Sequence, residues 1–459
     1  MAGIGFELRR LARRDVLSAN LNAYGHAALV SCGPWMFTIL ALAGLELFGR
    51  SIVPRDELNR FSGVIVYNFA FSLVISGPIV LVVTRALADR IYLKDVREAP
   101  GMLLGALVLL CALMAAVGVP FYGFAVDMRP LERLVALAGF FIIGGVWLAA
   151  TFMSALKSYA TITAAFGVGM AAGSGLAVLL APRFGSTGML AGFTAGLAIV
   201  MFALIARVFA EYPYPVIRPF GFLREFKRYW ELALVGLFYN MAIWIDKWIM
   251  WFAEGSTVIA GAMPAHPDYD GAMFLAYLSI VPAMTLFLVT VETNFFETYL
   301  RFYRDIEHHA TAEKIRVNHR TMLRAVIEGF RNIAVLQAVI CYLAVLLAPR
   351  LVGMAGGGFE MVPMFRSGVL GALFHALLLF VMVVIAYLDQ RRVLLAVNAV
   401  FLVLNGTLTW ISLLAGPQYY GYGYFVAALA TLAFAYLMLA RRIAHLPYMT
   451  FIANNPALR

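Results

Sequence analysis

The chain has 459 residues, 63% of them hydrophobic and 13% charged, with a mean hydropathy of +0.85. Those values lie far outside the range of soluble domains, and no polar stretch exceeds a few tens of residues, which excludes a soluble catalytic domain. The net charge of +10 would suit a nucleic-acid partner, but the arginines and lysines collect in alternate gaps between apolar runs, which is the positive-inside bias of a membrane protein.

The first segment, residues 1–18, reads as an amphipathic helix. Ile4, Leu8 and Leu11 recur at helical spacing while Arg9, Arg10, Arg13 and Arg14 occupy the other side. It is expected to lie in the cytoplasmic interface. The apolar run that follows is too long for the core of a cleavable signal, so the first span itself is expected to insert.

Six spans then read at 22–48, 61–84, 100–125, 131–156, 159–182 and 187–211, giving an N-terminal six-helix bundle over 19–211. A basic cytoplasmic linker, 212–229, carries Arg218, Arg224, Lys227 and Arg228. Six further spans read at 230–252, 271–296, 327–348, 363–388, 393–415 and 421–440, giving a C-terminal bundle over 230–442 with a cytoplasmic segment at 299–326 and a tail at 443–459. Each run matches the roughly 20 apolar residues that a bilayer core requires. The expected fold is therefore an all-α membrane protein of about twelve transmembrane helices, with both termini cytoplasmic. An even number of spans per half makes the halves candidates for a parallel repeat, two six-helix bundles related by a pseudo-twofold along the membrane normal. A cavity between the bundles is the expected site of alternating access.

Glycine and proline mark irregular helix. Gly33 and Pro34 interrupt the first span, Gly77 and Pro78 the second, and Pro282 the eighth. Interruptions at related places in the two halves make these residues hinge candidates, against the alternative that membrane helices carry proline routinely. Gly169 and Gly173, and Gly188, Gly192 and Gly196, lie four apart on adjacent spans and read as close helix packing. Cys32, Cys111 and Cys341 all fall in apolar runs, with no metal-binding spacing, and read as packing residues.

Charges inside the spans are the functional lead, since each costs about 2.5–3.5 kcal/mol at the bilayer centre on insertion scales. Glu46 and Arg366 lie near span ends and can snorkel. Asp246 and Lys247 lie past the middle of the seventh span, in FYNMAIWIDKWIMWF, with Asn240 nearly two turns earlier. Adjacent helical residues project about 100° apart, so the two are expected to need other partners rather than to neutralise one another. Glu292 and Asn294 lie in VETNFFETY near the cytoplasmic end of the eighth span, either lining a vestibule or solvated in a helix that continues outward. Asp246, Lys247, Asn240, Glu292 and Asn294 are the translocation candidates; a structural ion pair is the alternative for the first two.

His26 and His375 are in or near spans and read as hydrogen-bonded packing residues. The tyrosines Tyr419, Tyr420, Tyr422 and Tyr424, with Phe425, read as an outer interfacial belt, with stacking on a sugar leaving the protein as the alternative. With no HExxH, no phosphate-loop lysine and no paired metal ligands, neither metal nor cofactor is expected and no catalytic residue is assigned.

Twelve spans arranged six plus six, with Asp-Lys in the seventh, resemble the multidrug/oligosaccharidyl-lipid/polysaccharide (MOP) exporter superfamily. Within it, MAGIGFELRRL and VETNFFETY resemble the PelG family of Pel exopolysaccharide transporters, over essentially the whole chain. The resemblance implies an inner-membrane transporter that moves an N-acetylhexosamine-rich polymer from cytoplasm to periplasm, not an enzyme. It also implies a cytosolic glycosyltransferase and Pel membrane subunits, including a cyclic-di-GMP receptor, as partners beside the lipid bilayer, with no nucleic acid. Two other functions compete: a cation-coupled drug or metabolite antiporter of the same superfamily, and a non-transporting scaffold of a polysaccharide synthase complex that docks an enzyme on the basic segment from Arg301 to Arg331.

Overall fold

The structure, a computed structural model, describes residues 36–155, 159–448 and 451, with backbone alone at 154, 155, 159, 160, 292, 293 and 448. The interfacial segment 1–18, Cys32, His26 and the hinge candidates Gly33 and Pro34 lie outside the described residues. The helices are α1 (Met36–Gly49), α2 (Arg55–Tyr92), α3 (Ala99–Pro120), α4 (Pro130–Ala155), α5 (Tyr159–Glu211), α6 (Leu223–Arg228), α7 (Trp230–Ala242) and α8 (Ile245–Met250). After a two-residue hairpin, Thr257–Val258 with Pro264–Ala265, come α9 (Pro267–Leu278), α10 (Val281–Val289), α11 (Phe296–Glu307), α12 (Ala312–Met354), α13 (Met361–Tyr387), α14 (Arg391–Ala415), α15 (Tyr422–Ala444) and α16 (Leu446–Tyr448).

Nine stretches among the described residues are long and apolar enough to cross a membrane, against about twelve expected. Three differences account for this. Only the second half of the first span is described, as the short helix α1. The spans 159–182 and 187–211 form one continuous stretch, α5, through a sharp break at Gly185. The seventh span, expected unbroken over 230–252, is two short helices, α7 and α8, separated at Ile243–Trp244.

The described chain packs as two compact units. The first takes in the chain up to Trp244 together with Met250–His266; the second takes in Ile245–Ile249 and the chain from Pro267 onward. Helix α7, which the sequence assigns to the second bundle, therefore packs in the first unit. The cause is a backbone crossing of α2 and α7, where a Cβ placed on Gly236 would meet the Gly77 carbonyl oxygen at 2.3 Å. Pro78 leaves the Val74 carbonyl without its helical amide, and in the same turn Asn240 Nδ2 donates to the Leu73 carbonyl at 2.9 Å. A second close approach joins the two arms of α5. A Cβ on Gly169 would lie 2.7 Å from the Gly196 carbonyl oxygen, and one on Gly192 would lie 2.2 Å from the Ala177 nitrogen, which is the small-residue packing read from the spacing.

Gly185 turns α5 with φ +58° and ψ −138°, a region in which side chains are strained. A Cβ there would also stand 2.8 Å from Glu57 Oε2, the oxygen that accepts a hydrogen bond from the Ser186 amide at 2.8 Å. Gly185→Ala is expected to lower stability by about 1–3 kcal/mol, read as a lower melting temperature of the purified protein in detergent.

In the second unit, α13 is the most buried helix, with α9, α12 and α15 packed around it. Gly368 opens onto Ala276 and Met273 of α9, and Gly371 onto the Tyr424 ring of α15. The chain breaks between α9 and α10, and Pro282 stands in the first turn of α10, where its missing amide is tolerated. Pro282 therefore starts a helix rather than kinking one, whereas Pro78 lies within a continuous α2. Cys341 is buried and Cys111 exposed, so the packing role expected of Cys111 is not seen.

Candidate functional site

The break at Ile243–Trp244 ends α7 and starts α8 one residue before Asp246. Asp246 is fully buried and Lys247 is 7% exposed, both in the second unit. Contrary to the expectation from helical projection, Lys247 Nζ bonds its neighbour's carboxylate, 3.3 Å from Oδ1 and 3.2 Å from Oδ2. The projection rule governs where stems leave the helix, and the lysine's four methylenes let the ammonium curl back.

Helix α9 supplies the next two contacts. Tyr269, in its first turns, donates from its hydroxyl to Asp246 Oδ2 at 3.0 Å. Tyr277, eight residues on and about 80° round the helix, places its ring 5.0 Å from Lys247 Nζ, a cation–π distance. The Tyr277 ring in turn packs against His375 of α13 at 5.9 Å and Tyr424 of α15 at 5.8 Å. His375 Nδ1 and the Tyr424 hydroxyl are hydrogen-bonded at 2.9 Å, and Phe401 of α14 closes the imidazole's other side at 5.3 Å.

The result is a buried polar chain, Asp246–Lys247–Tyr277–His375–Tyr424, built from four helices of one unit. It holds one negative and one positive charge where water is scarce, so its two charges depend on each other. Such a pair is strongly destabilising to split, and its net contribution to stability is small compared with the desolvation of its parts. Chemically it can hold or release a cation, offer a carboxylate, or change partner when the helices move.

Of the other sequence candidates, Asn240 belongs to the first unit and is bonded to α2 as described. The helix break thus parts it from Asp246, with which it was expected to share a helix. Glu292 and Asn294 lie in a π-helical turn, Thr290–Phe295, a rare geometry that recurs at functional sites. Asn294 is exposed, while the Glu292 side chain lies outside the described residues. Glu46 accepts from Ser62 at 3.2 Å and pairs with Arg50 at 3.6 Å. Arg366 is exposed and reaches the Val345 carbonyl at 3.4 Å.

Sequence reasoning missed three groups. His375 was read as a hydrogen-bonded packing residue, as the structure has it, but its partner Tyr424 was assigned to an outer aromatic belt. Tyr420 and Tyr424 are instead buried, and only Tyr419 and Tyr422 are exposed. Tyr269 and Tyr277 were not singled out; their spacing of eight residues after a proline-started helix was the available signal. In the first unit, Glu132 is buried at 1% exposure. It takes Arg60 at 3.4 Å and the Ser186 hydroxyl at 3.3 Å. An adjoining cavity of about 380 Å³, lined by Glu57, Arg129, Arg183 and Phe184 among others, contains none of the sequence candidates. Among the described residues no group of three or more His, Cys, Asp or Glu side chains gathers to hold a metal.

The chain matches the PelG exopolysaccharide exporter (EPS-E) family over residues 1–451. No curated protein matches it in sequence. In structure it resembles an outward-facing multidrug resistance MATE family transporter of the MOP superfamily, with a TM-score of 0.61 at 15% identity, covering 92% of this chain and 96% of that one. The inward-facing form of a MATE family transporter of the same superfamily gives 0.60 at 15% identity, covering 90% and 94%. A MOP superfamily transporter from Pyrococcus furiosus, whose binding pocket is described as having reversed polarity, gives 0.61 at 15% identity, covering 92% and 96%. At this identity the likeness concerns the fold, which is that of a MOP-type transporter.

Proposed function

Since the chain belongs to the PelG exopolysaccharide exporter family, we propose that it carries an N-acetylhexosamine-rich polymer across the bacterial inner membrane from cytoplasm to periplasm. The family match over residues 1–451 is the observation that carries this reading. The polymer arrives from a cytosolic glycosyltransferase, and Pel membrane subunits, including a cyclic-di-GMP receptor, regulate its passage. The two halves, divided at Ile243–Trp244 rather than at the linker 212–229, act as parallel repeats, with both termini in the cytoplasm. Asp246 and Lys247 belong to the moving machinery, and a chain of acetylated sugars, being uncharged, crosses without needing a cavity of one sign. The π-helical turn carrying Glu292 and Asn294 lies on the cytoplasmic approach, and Gly77–Pro78 and Pro282 are the points at which the helices flex.

The test is direct. The purified chain is placed in sealed vesicles with and without the glycosyltransferase, and polymer entering the lumen is measured. Entry that requires the chain is expected; polymer retained outside in both cases rejects the reading. The multidrug resistance likeness of the fold favours a second reading, a cation-coupled drug antiporter. Deletion would then change drug susceptibility and leave secreted polymer unchanged.

A further inference from the structure

Helix α12 is 43 residues long, about 64 Å at 1.5 Å per residue, roughly twice what a bilayer core needs. Its apolar part is the C-terminal half, from about residue 327 onward. The first fifteen residues, 312–326, thus extend about 22 Å beyond the hydrocarbon. Their buried face, Ile315, Met322 and Val326, is covered, and the arm is fixed to α11 in three ways. Asp305 pairs with Lys314 at 3.3 Å and accepts from Asn318. Phe302 packs on His319 at 5.7 Å. His319 Nε2 is also hydrogen-bonded to the Ile443 carbonyl at 2.8 Å, which ties the arm to α15.

At 100° per residue, Arg316, Arg320, Arg324, Ile327 and Arg331 fall within about 80° of one another, on the face turned away from that buried stripe. All five are exposed. Arg316 pairs with Glu313 at 3.1 Å. Among the described residues Arg320, Arg324 and Arg331 make no ion pair, and exposed Glu328, beside them, bridges none of them. Like charges at i and i+4 repel, so a rigid helix that keeps three in a row is arranged for an opposite charge from outside.

The distances say what brings it. Headgroups extend only about 6 Å beyond the hydrocarbon on each side. Arg331 and Arg324 fall within their reach, while Arg320 and Arg316 stand about 10 Å and 16 Å out. Positive charge that bound only lipid would have no reason to continue beyond a Debye length, about 8 Å, along one face. We infer that the exposed face of α12, from Arg316 to Arg331, is a docking surface for the acidic face of a soluble protein on that side of the membrane. The inference does not depend on what the chain transports.

The experiment uses the full chain in cells, with a photoreactive benzoyl-phenylalanine at Val317, which is 50% exposed and borders the arginine face beyond headgroup reach. A protein adduct is expected whose contact peptide, mapped by mass spectrometry, is rich in Asp and Glu. Arg320→Glu with Arg324→Glu should cut its yield about tenfold, and exchanging the mapped acids for lysine in the partner should restore it. The neutral pair, Arg320→Gln with Arg324→Gln, should give an intermediate loss at normal protein level, which keeps the test open if the reversed pair fails to accumulate. Adducts to phospholipid alone, an adduct whose yield the neutral pair leaves unchanged, or no adduct at all would overturn the proposal, the first in favour of an anionic membrane surface.

Discussion

Asp246→Asn is expected to lower the stability of the protein by about 3–5 kcal/mol, because it removes the carboxylate bonded to the buried Lys247 ammonium. Lys247→Met should do similar harm by stranding the carboxylate, whose remaining partner among the described residues is the Tyr269 hydroxyl at 3.0 Å. Removing both charges at once, as Asp246→Asn with Lys247→Met, should recover most of that loss, since replacing a buried pair by neutral groups of similar size is often close to neutral. Thermal unfolding of the three variants in one detergent measures the coupling. Polymer secretion then separates stability from mechanism. A pair that only holds helices together would let the doubly neutral protein export normally once it is stable again. A pair that exchanges partners during transport would leave export at least tenfold down despite the recovered fold. Tyr269→Phe supplies the graded case: it removes one hydrogen bond to a charged group, about 1.5–3 kcal/mol, without stranding either charge.

The long apolar runs at 61–84, 100–125, 131–156, 363–388 and 393–415 each contain the body of an observed helix, because a bilayer-length run has no other way to satisfy its backbone. What the sequence hid were relations across distance. Nothing in Met241–Ala242–Ile243–Trp244 announces a helix end, since the stretch has neither glycine nor proline. Asp246 and Lys247 were legible as costly residues, but their shared contact depends on a side-chain conformation that no spacing rule encodes. The joining of Tyr277, His375 and Tyr424 links residues up to 147 positions apart through the burial of α13, which no single run predicts. Glu132 was overlooked because, at the start of its span, it reads as a solvated end residue, whereas the turn at Gly185 brings Ser186 against it.

The largest purely structural effect is expected at the crossing of α2 and α7. A Cβ on Gly236 would stand 2.3 Å from the Gly77 carbonyl oxygen, 2.6 Å from its carbonyl carbon and 3.1 Å from the Pro78 nitrogen. All three atoms are backbone, so no side chain can swing aside, and the helices themselves must separate. Overpacking of ordinary cores costs about 1–3 kcal/mol; this site offers less room to relax, and separation also breaks the Asn240 bond to Leu73, exposing the opened turn before Pro78. Gly236→Val is therefore expected to lose more than 3 kcal/mol, with Gly236→Ala intermediate. A control distinguishes this from a general dislike of larger residues in membrane helices. Gly175 has nothing within 4 Å of its would-be Cβ, so Gly175→Ala should be neutral or stabilising by up to about 1 kcal/mol, as for Gly→Ala in a helix interior. The readout is the amount of folded protein in membranes and its resistance to trypsin. If Gly236→Val accumulates and resists digestion as the native chain does, the helices are not in backbone contact there. In that case Asn240 is not the residue that completes the turn at Gly77–Pro78, and the assignment of α7 to the first unit falls with it.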